Sequence, residues 1–82
     1  MKDLTHIVEA LLFSADGPLK VEQVQEVVPA AEAEAVAEAC AELGRFYSDS
    51  GRAFAVVRIA GGFQLLTVPD VAIEVERFLM GR

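Results

Sequence analysis

The stretch that decides the fold runs from Val57 to Leu79 and reads VRIAGGFQLLTVPDVAIEVERFL. Two β-prone runs, residues 53–60 and 63–68, flank the pair Gly61-Gly62, which predicts a β-hairpin with these two glycines in its turn. Pro69 then suits the first turn of a helix, where its missing N–H costs no hydrogen bond. The segment therefore predicts two short strands followed by a helix.

The apolar pattern also predicts the register of the hairpin. A two-residue loop at Gly61-Gly62 competes with a three-residue loop over residues 60–62, which pairs Ile59 with Phe63. The three-residue loop gathers the large apolar side chains on one face, because side chains alternate strictly along a strand. We therefore expect the three-residue loop, with Gly62 in the positive-φ conformation that glycine adopts most easily.

The residues before the hairpin predict three helices. Apolar residues at helical spacing mark the first helix, and Asp3 is its expected N-cap. Gly17-Pro18 ends this helix, and Leu19 is expected to add one or two residues of strand to the hairpin. A short second helix closes at Pro29, and a third helix is expected from about residue 32 to residue 47.

This order of elements predicts a winged-helix domain. The fold class is α+β, mainly α, with a three-helix bundle followed by a β-hairpin wing and a C-terminal helix. Leu11, Leu43 and Phe63 are expected to converge in one core. A length of 82 residues fits a single small domain over residues 1–82, whose core gives only marginal stability.

The charge balance disfavours nucleic-acid binding. The formal net charge is -6, and the seven Lys and Arg residues are spread along the chain, whereas phosphate binding needs clustered cations. A DNA-binding winged helix lays its third helix in the major groove, and here that helix carries Glu34, Glu38 and Glu42 on one face. We expect little or no direct DNA binding. The longest apolar stretch is also too short to span a membrane.

No catalytic, cofactor-binding or metal-ligating set can be identified. His6 has no partner at ligand spacing, and Cys40 lies on the apolar face of the third helix, as expected of a buried structural thiol. The pair Gly61-Gly62 lacks the glycine spacing and the following Lys of a phosphate-binding loop. The sequence therefore predicts a non-enzymatic interaction module without a cofactor.

Apolar residues are expected on the outside of the hairpin. In the three-residue register Val56 and Leu66 lie on its outer face, while Phe54 and Val68 lie at its base. Single exposed apolar side chains are normal, but a cluster marks a contact surface, and both interpretations stay open. The candidate protein interface is Phe54, Val56, Leu66 and Val68.

Two blocks of the sequence resemble the segregation and condensation protein B family. The matching residues are IVEALLF at 7–13 with GPL at 17–19, then AGGFQL at 60–65 with Thr67, Pro69 and Phe78-Leu79 behind it. The blocks occur in the family's order and frame nearly the whole chain. One departure is Leu66, which stands where the family commonly carries a basic residue.

The resemblance implies the N-terminal domain of a longer protein with two winged-helix domains. It implies a kleisin-associated subunit of the bacterial or archaeal SMC condensin-like complex, acting in chromosome condensation and segregation. The implied partners are a second copy in a homodimer, the kleisin subunit (segregation and condensation protein A) and, through the kleisin, the SMC ATPase. The implied location is cytoplasmic and nucleoid-associated, with no membrane partner.

Two other functions stay open at this point. A winged-helix DNA-binding transcription regulator would need a basic third helix or a basic wing. A recognition or regulatory domain cut from a larger enzyme would need no catalytic residues of its own.

Overall fold

The computed structural model describes residues 2–81. This part of the chain contains four α-helices and a two-stranded antiparallel hairpin. The elements are α1 (Leu4–Ser14), α2 (Val21–Val27), α3 (Ala33–Asp49), β1 (Phe54–Ile59), β2 (Gly62–Thr67), a 3-10 turn (Pro69–Val71) and α4 (Ala72–Met80). The order confirms the predicted winged-helix arrangement, an α+β fold that is mainly helical.

Helices α1 and α2 begin where a side chain accepts a hydrogen bond from a backbone N–H group. The Asp3 side chain accepts a hydrogen bond from the N–H of His6 at 2.9 Å, so the predicted cap of α1 is confirmed. At α2 the Gln23 side chain accepts from the N–H of Lys20 at 2.9 Å. Helix α3 continues two residues past its predicted end and closes at Asp49.

The core lies between α1, α2, α3 and the inner face of the hairpin. Its buried members are Val8, Leu12, Leu19, Val24, Val36, Ala39, Cys40, Leu43 and Tyr47. Leu11 and Phe63 are half-buried and pack against this cluster. The predicted convergence of Leu11, Leu43 and Phe63 in one core is therefore confirmed.

Leu19 joins the hairpin to the connection between α1 and α2. Its N–H donates to the carbonyl of Phe63 at 2.7 Å, and the N–H of Phe63 donates to its carbonyl at 2.9 Å. This pair of bonds is the short extra strand that the sequence predicts. It holds the turn end of the hairpin against the helices.

The register of the hairpin differs from the predicted one. Ile59 pairs with Gly62 and Arg58 with Phe63, so the loop contains only two residues, Ala60 and Gly61. These two have φ values of 50° and 79°, as a type I′ turn requires. The expected three-residue loop was therefore wrong, as was the expected positive φ at Gly62, which is the first residue of β2.

Gly62 is required for a different reason, the close approach of Leu19. A Cβ atom at position 62 would lie 2.7 Å from the carbonyl oxygen of Leu19 and 3.2 Å from Cβ of Pro18. The glycine is thus needed in the strand, and the residues with left-handed backbone conformation are Ala60 and Gly61. The observed register differs by one residue from the predicted one, and this exchanges the two faces of β1. Val56 therefore points inward and Val57 points outward.

Candidate protein interface

The four residues predicted as an interface do not form one surface. Val56 is half-buried and packs against the core, so its expected place on the outer face was wrong. Phe54 lies on the same inner face of the hairpin but farther from the turn, and it is 37% exposed. Leu66 lies on the opposite face, and Val68 follows β2 and is half-buried. Their part in an interface stays a prediction.

A row of three aromatic rings lies where α3 meets the hairpin. The rings of Tyr47 and Phe54 pack edge to face, with centroids 4.7 Å apart. Phe46 stands beside Tyr47 at 6.0 Å and is 62% exposed. Aromatic pairs in this geometry add to the stability that burial provides. Phe54 is therefore held in place by a buried neighbour while part of its ring remains open to solvent.

Beside this row a groove opens between α1, α3 and the hairpin, which we call the aromatic groove. Its volume is about 290 Å³, and it is lined by His6, Glu9, Ala10, Phe13, Tyr47, Phe54 and Leu65. Tyr47 is buried beneath it, whereas Phe13 stands 85% exposed at its rim. Apolar surface of this kind, concave and rimmed by polar groups, marks a contact site.

The Tyr47 hydroxyl at the aromatic groove is already paired with a carboxylate. The Tyr47 hydroxyl donates a hydrogen bond to the Glu9 carboxylate. Burial raises the pKa of Tyr47, and the hydrogen bond and negative charge of Glu9 raise it further. The phenol therefore stays protonated at neutral pH and keeps its hydrogen bond to Glu9.

Helix α4 is the least covered element of the described chain. It has no buried residue and packs chiefly on the 3-10 turn that precedes it. Phe78 is 70% exposed and Met80 is 80% exposed, and Ile73 and Leu79 are also open to solvent. A shallow hollow beside the helix is lined by Thr67, Ala72, Val75, Glu76, Leu79 and Met80. So much apolar area on one short helix is far more than scattered surface residues explain.

A second apolar surface is the outer hairpin face, formed by Val57, Ile59 and Leu66. All three are exposed, and they share one side of the two strands because the register places Val57 opposite Gln64 and Leu66 opposite Ala55. Strand β1 has only β2 as a strand neighbour within residues 2–81.

The charges near the wing and the third helix oppose contact with phosphates. Glu34, Glu38 and Glu42 are all exposed on α3. Glu38 forms a surface ion pair with Arg45 at 3.2 Å, which neutralises only part of the stripe. Arg58 of the wing lies over the ring of Phe63, 4.9 Å from its centre. This surface is suited to repel nucleic acid.

A family model described as "Segregation and condensation complex subunit ScpB" matches residues 6–82. The chain belongs to the ScpB family. The match includes the first helix block and the turn-and-helix block on which the resemblance was based, so the resemblance is confirmed.

Two curated relatives of this ScpB-family chain are named segregation and condensation protein B. The protein from Syntrophotalea carbinolica is 42% identical over 80 residues, which are 98% of this chain and 40% of the relative. The protein from Symbiobacterium thermophilum is 38% identical over 73 residues, 89% of this chain and 33% of the relative. The chain thus spans well under half the length of these relatives.

Three solved structures share the fold. A conserved hypothetical protein from Chlorobium tepidum is 34% identical with a TM-score of 0.84, covering 93% of this chain and 48% of that one. ScpB from Mycobacterium tuberculosis has a TM-score of 0.85 over 99% of this chain and 52% of that one; at 19% identity it shows the fold alone. The dimer of an ScpB N-terminal domain complexed with an ScpA peptide has a TM-score of 0.76 at 27% identity, covering 89% of this chain and 84% of that one.

The lone thiol of this ScpB-family chain lies in the core. Burial raises the pKa of Cys40 to about 11, and the positive charge of Arg58 only partly opposes this shift. The thiol is therefore protonated at neutral pH and inert as a nucleophile. Across residues 2–81 no group of three His, Cys, Asp or Glu side chains could hold a metal ion. None of the described helices combines the length and apolar character needed to cross a membrane.

Phe13, Phe46 and the whole exposed side of α4 were not predicted from the sequence. A signal for Phe13 was available, because it directly follows Leu11 and Leu12. Successive residues of a helix point about 100° apart, so three consecutive large apolar side chains cannot all face one core. Leu12 is buried, and Phe13 turns to solvent.

Proposed function

We propose that this chain is a non-enzymatic, kleisin-associated subunit of an SMC condensin-like complex that condenses and segregates the chromosome. In this proposal it is the N-terminal of two winged-helix domains, it forms a homodimer, and it binds the ScpA-type kleisin that links it to the SMC ATPase. The observation that carries the proposal is family membership together with the likeness to an ScpB N-terminal dimer complexed with an ScpA peptide.

The exposed surface supports a protein-binding role. Three apolar features are open to solvent, namely α4, the aromatic groove and the outer hairpin face. A chain that binds two protein partners needs two such surfaces, because apolar burial supplies most of the affinity of a stable interface.

The outer hairpin face is the better candidate for the kleisin contact. Leu66 belongs to it together with Val57 and Ile59, and the free edge of β1 runs along its border. An exposed apolar face beside an open strand edge fits a peptide segment, whose backbone can add to the edge while its side chains cover the face. Val56 has no part in this contact, because it packs inward.

The charge pattern bears on how the subunit reaches the chromosome. Exposed Glu34, Glu38 and Glu42 occupy the helix that a DNA-binding winged helix would lay in the major groove. Direct contact with duplex DNA is therefore unfavourable, and the transcription-regulator alternative loses its main support. In this proposal the subunit reaches the nucleoid through its protein partners.

The test is a binding titration between this chain and the ScpA-type kleisin encoded in the same genome. Calorimetry should give saturable binding with a negative heat-capacity change, the mark of apolar burial. Leu66→Arg should keep the circular dichroism spectrum, because the side chain is exposed, and should weaken kleisin binding by roughly ten-fold or more. Val27→Arg is the matched control, since Val27 is a 60% exposed valine on α2 that is remote from the hairpin face in the sequence and lies on another element.

Two results would count against the proposal. Absence of measurable kleisin binding by the parent chain at high micromolar concentration would remove the proposed function. Equal kleisin affinity for Leu66→Arg and the parent, with the fold intact, would move the contact away from the outer hairpin face.

A further inference from the structure

Strand β1 has one edge that no other strand of residues 2–81 pairs with. Both backbone hydrogen bonds of Phe63 go to Leu19, on the side of β2 away from β1. Its cross-strand partner Arg58 therefore directs its own N–H and carbonyl groups away from β2. The same alternation turns the backbone groups of Phe54 and Val56 to this edge, although the Val56 side chain packs inward. Three residues of β1 thus offer backbone groups to one more strand.

A groove lies between α3 and β1, which we call the arginine groove. Its volume is about 330 Å³. The helix contributes small residues to its lining, among them Ala37, Ala41 and Gly44, while Arg45 and Arg58 are its charged members. Because the residues on the helix side are short, the groove has room for side chains that approach from the edge of β1.

The arginine groove is positively charged although the chain as a whole is acidic. Two of the seven cationic side chains line it, and none of its described lining residues is Asp or Glu. Arg45 pairs with Glu38 at the exposed surface, whereas Arg58 has no carboxylate within ion-pair distance in residues 2–81. Arg58 instead lies over the ring of Phe63, which keeps its guanidinium beside the groove. A carboxylate that enters the groove would therefore meet an unpaired guanidinium.

We propose that the free edge of β1 binds an extended peptide, and that Arg58, with Arg45, selects acidic side chains at every second position of that peptide. An added strand places its side chains alternately on the two faces of the sheet. Those beside Val57 and Ile59 cover the outer hairpin face, and those beside Arg58 enter the arginine groove. Apolar burial on the outer face supplies affinity, and the arginines determine which sequence is accepted. This inference deepens the proposed function, on which it rests for the kleisin as the source of the peptide.

The same geometry favours a peptide over a nucleic acid. A strand edge offers N–H and carbonyl groups at the spacing of another strand, which a phosphate backbone does not match. Exposed Glu34, Glu38 and Glu42 repel a long polyanion along α3. A single carboxylate in contact with Arg58 is affected less, because salt screens exposed charges beyond about 8 Å.

The test is an NMR titration of the isotope-labelled chain with two synthetic peptides of equal length. Valine alternates with aspartate in the first peptide and with lysine in the second. The aspartate peptide should shift the amide signals of Phe54, Val56 and Arg58 and slow their hydrogen exchange, because these amides gain partners. It should also bind roughly ten-fold or more tightly than the lysine peptide, because only the aspartate peptide brings carboxylates to the arginines.

Charge variants separate selection from a structural role. Arg58→Glu should reverse the preference so that the lysine peptide binds more tightly, whereas damage to the fold would weaken both peptides together. Arg58→Gln should bring the ratio of the two affinities close to one, and it replaces Arg58→Glu should that variant alter the circular dichroism spectrum. Arg45→Gln should lower the ratio less, because Glu38 already neutralises part of that charge. Arg77→Glu, on exposed surface of α4 outside the groove, should leave the ratio unchanged.

Each contrary result overturns a stated part of the inference. Absence of amide shifts along β1 with either peptide at millimolar concentration overturns the edge site, whatever the kleisin titration gives. Equal affinities of the two peptides for the parent chain, or an unchanged ratio in a folded Arg58 variant, overturn the selection of acidic side chains.

The proposed function is judged separately, by the kleisin titration. A kleisin that binds the parent and folded Arg58→Glu equally well leaves the proposed function standing and overturns the role of the arginine groove in it. Binding of the aspartate peptide without any binding of the kleisin removes the proposed function and supports the edge site alone.

Discussion

Gly62→Ala is expected to be strongly destabilising although it adds a single methyl group. The new Cβ would lie 2.7 Å from the carbonyl oxygen of Leu19, a distance that real Cβ atoms essentially never show, and 3.0 Å from its carbonyl carbon. Leu19 cannot retreat freely, because its side chain is buried in the core and its backbone is bonded to Phe63 in both directions. The strain must therefore break or lengthen the two backbone hydrogen bonds between Leu19 and Phe63.

The expected loss in the free energy of unfolding follows from the contacts that Leu19 makes. Loss of two backbone hydrogen bonds costs about 1–3 kcal/mol in net terms, and loosening the packing of Leu19 adds a similar amount at most. We expect a loss of about 2–4 kcal/mol in the free energy of unfolding. A domain of this size has only about 4–12 kcal/mol in total, so the change is large.

Two other glycines provide matched controls for urea unfolding followed by circular dichroism. A methyl group at Gly17 would meet nothing within 4 Å and the backbone φ there is ordinary, so Gly17→Ala should be neutral or stabilising by less than about 1 kcal/mol. Gly61 also has open space but a φ of 79°, so Gly61→Ala should cost about 1–2 kcal/mol from strain alone. Gly61→Asn should be milder than Gly62→Asn, because asparagine tolerates the left-handed region. A Gly62→Ala variant no less stable than Gly61→Ala would refute the reasoning.

Three further predictions concern the core, the thiol and nucleic acid. Leu43→Ala should lower the free energy of unfolding by about 2–5 kcal/mol in the same urea assay, because Leu43 is buried in the centre of the bundle; a parent-like midpoint would contradict this core. The free energy of unfolding should fall as pH rises from 9 toward 11. The reason is that the Cys40 thiol ionises at its ordinary pKa of 9.0 in the unfolded chain but stays protonated to about 11 in the folded one. Urea titrations of the Cys40→Ala variant should show a shallower fall with pH. Duplex DNA should bind no tighter than about 10⁻⁴ M at physiological salt by fluorescence anisotropy, and micromolar binding that weakens steeply with salt would contradict the argument from charge.

Local signals in the sequence were enough for the order of the elements. Asp3 caps α1 because an aspartate side chain can reach a free N–H group of the first turn. Pro69 begins the turn before α4, where proline costs no hydrogen bond. Leu19 was also placed correctly, because the extended segment after Gly17-Pro18 had a strand to join. These features depend on a few neighbouring residues, which the sequence displays directly.

The hairpin register could not be predicted from local signals alone. A glycine pair in a turn suggests that both glycines serve the turn, yet Gly62 is needed for the close approach of Leu19. That constraint is tertiary, and it moves the turn onto Ala60, whose φ of 50° costs an alanine about 1–2 kcal/mol. The one-residue slip then determines which apolar side chains are exposed. The predicted outward position of Val56 was wrong for this reason, while Phe54 and Leu66 are exposed on opposite faces.

The distribution of charge and apolar surface fits a subunit that acts through proteins. A chain with a net charge of -6 repels a second copy and repels DNA, but salt limits both effects to a range of about 8 Å under physiological conditions. Apolar contact acts at shorter range, where ring and methyl groups meet directly, so it can hold two like-charged copies together once they touch. DNA offers no comparable apolar face to the exposed glutamates of α3, and the repulsion there is not offset. The exposed apolar surface therefore favours contact with proteins, whereas the exposed glutamates of α3 disfavour direct contact with DNA.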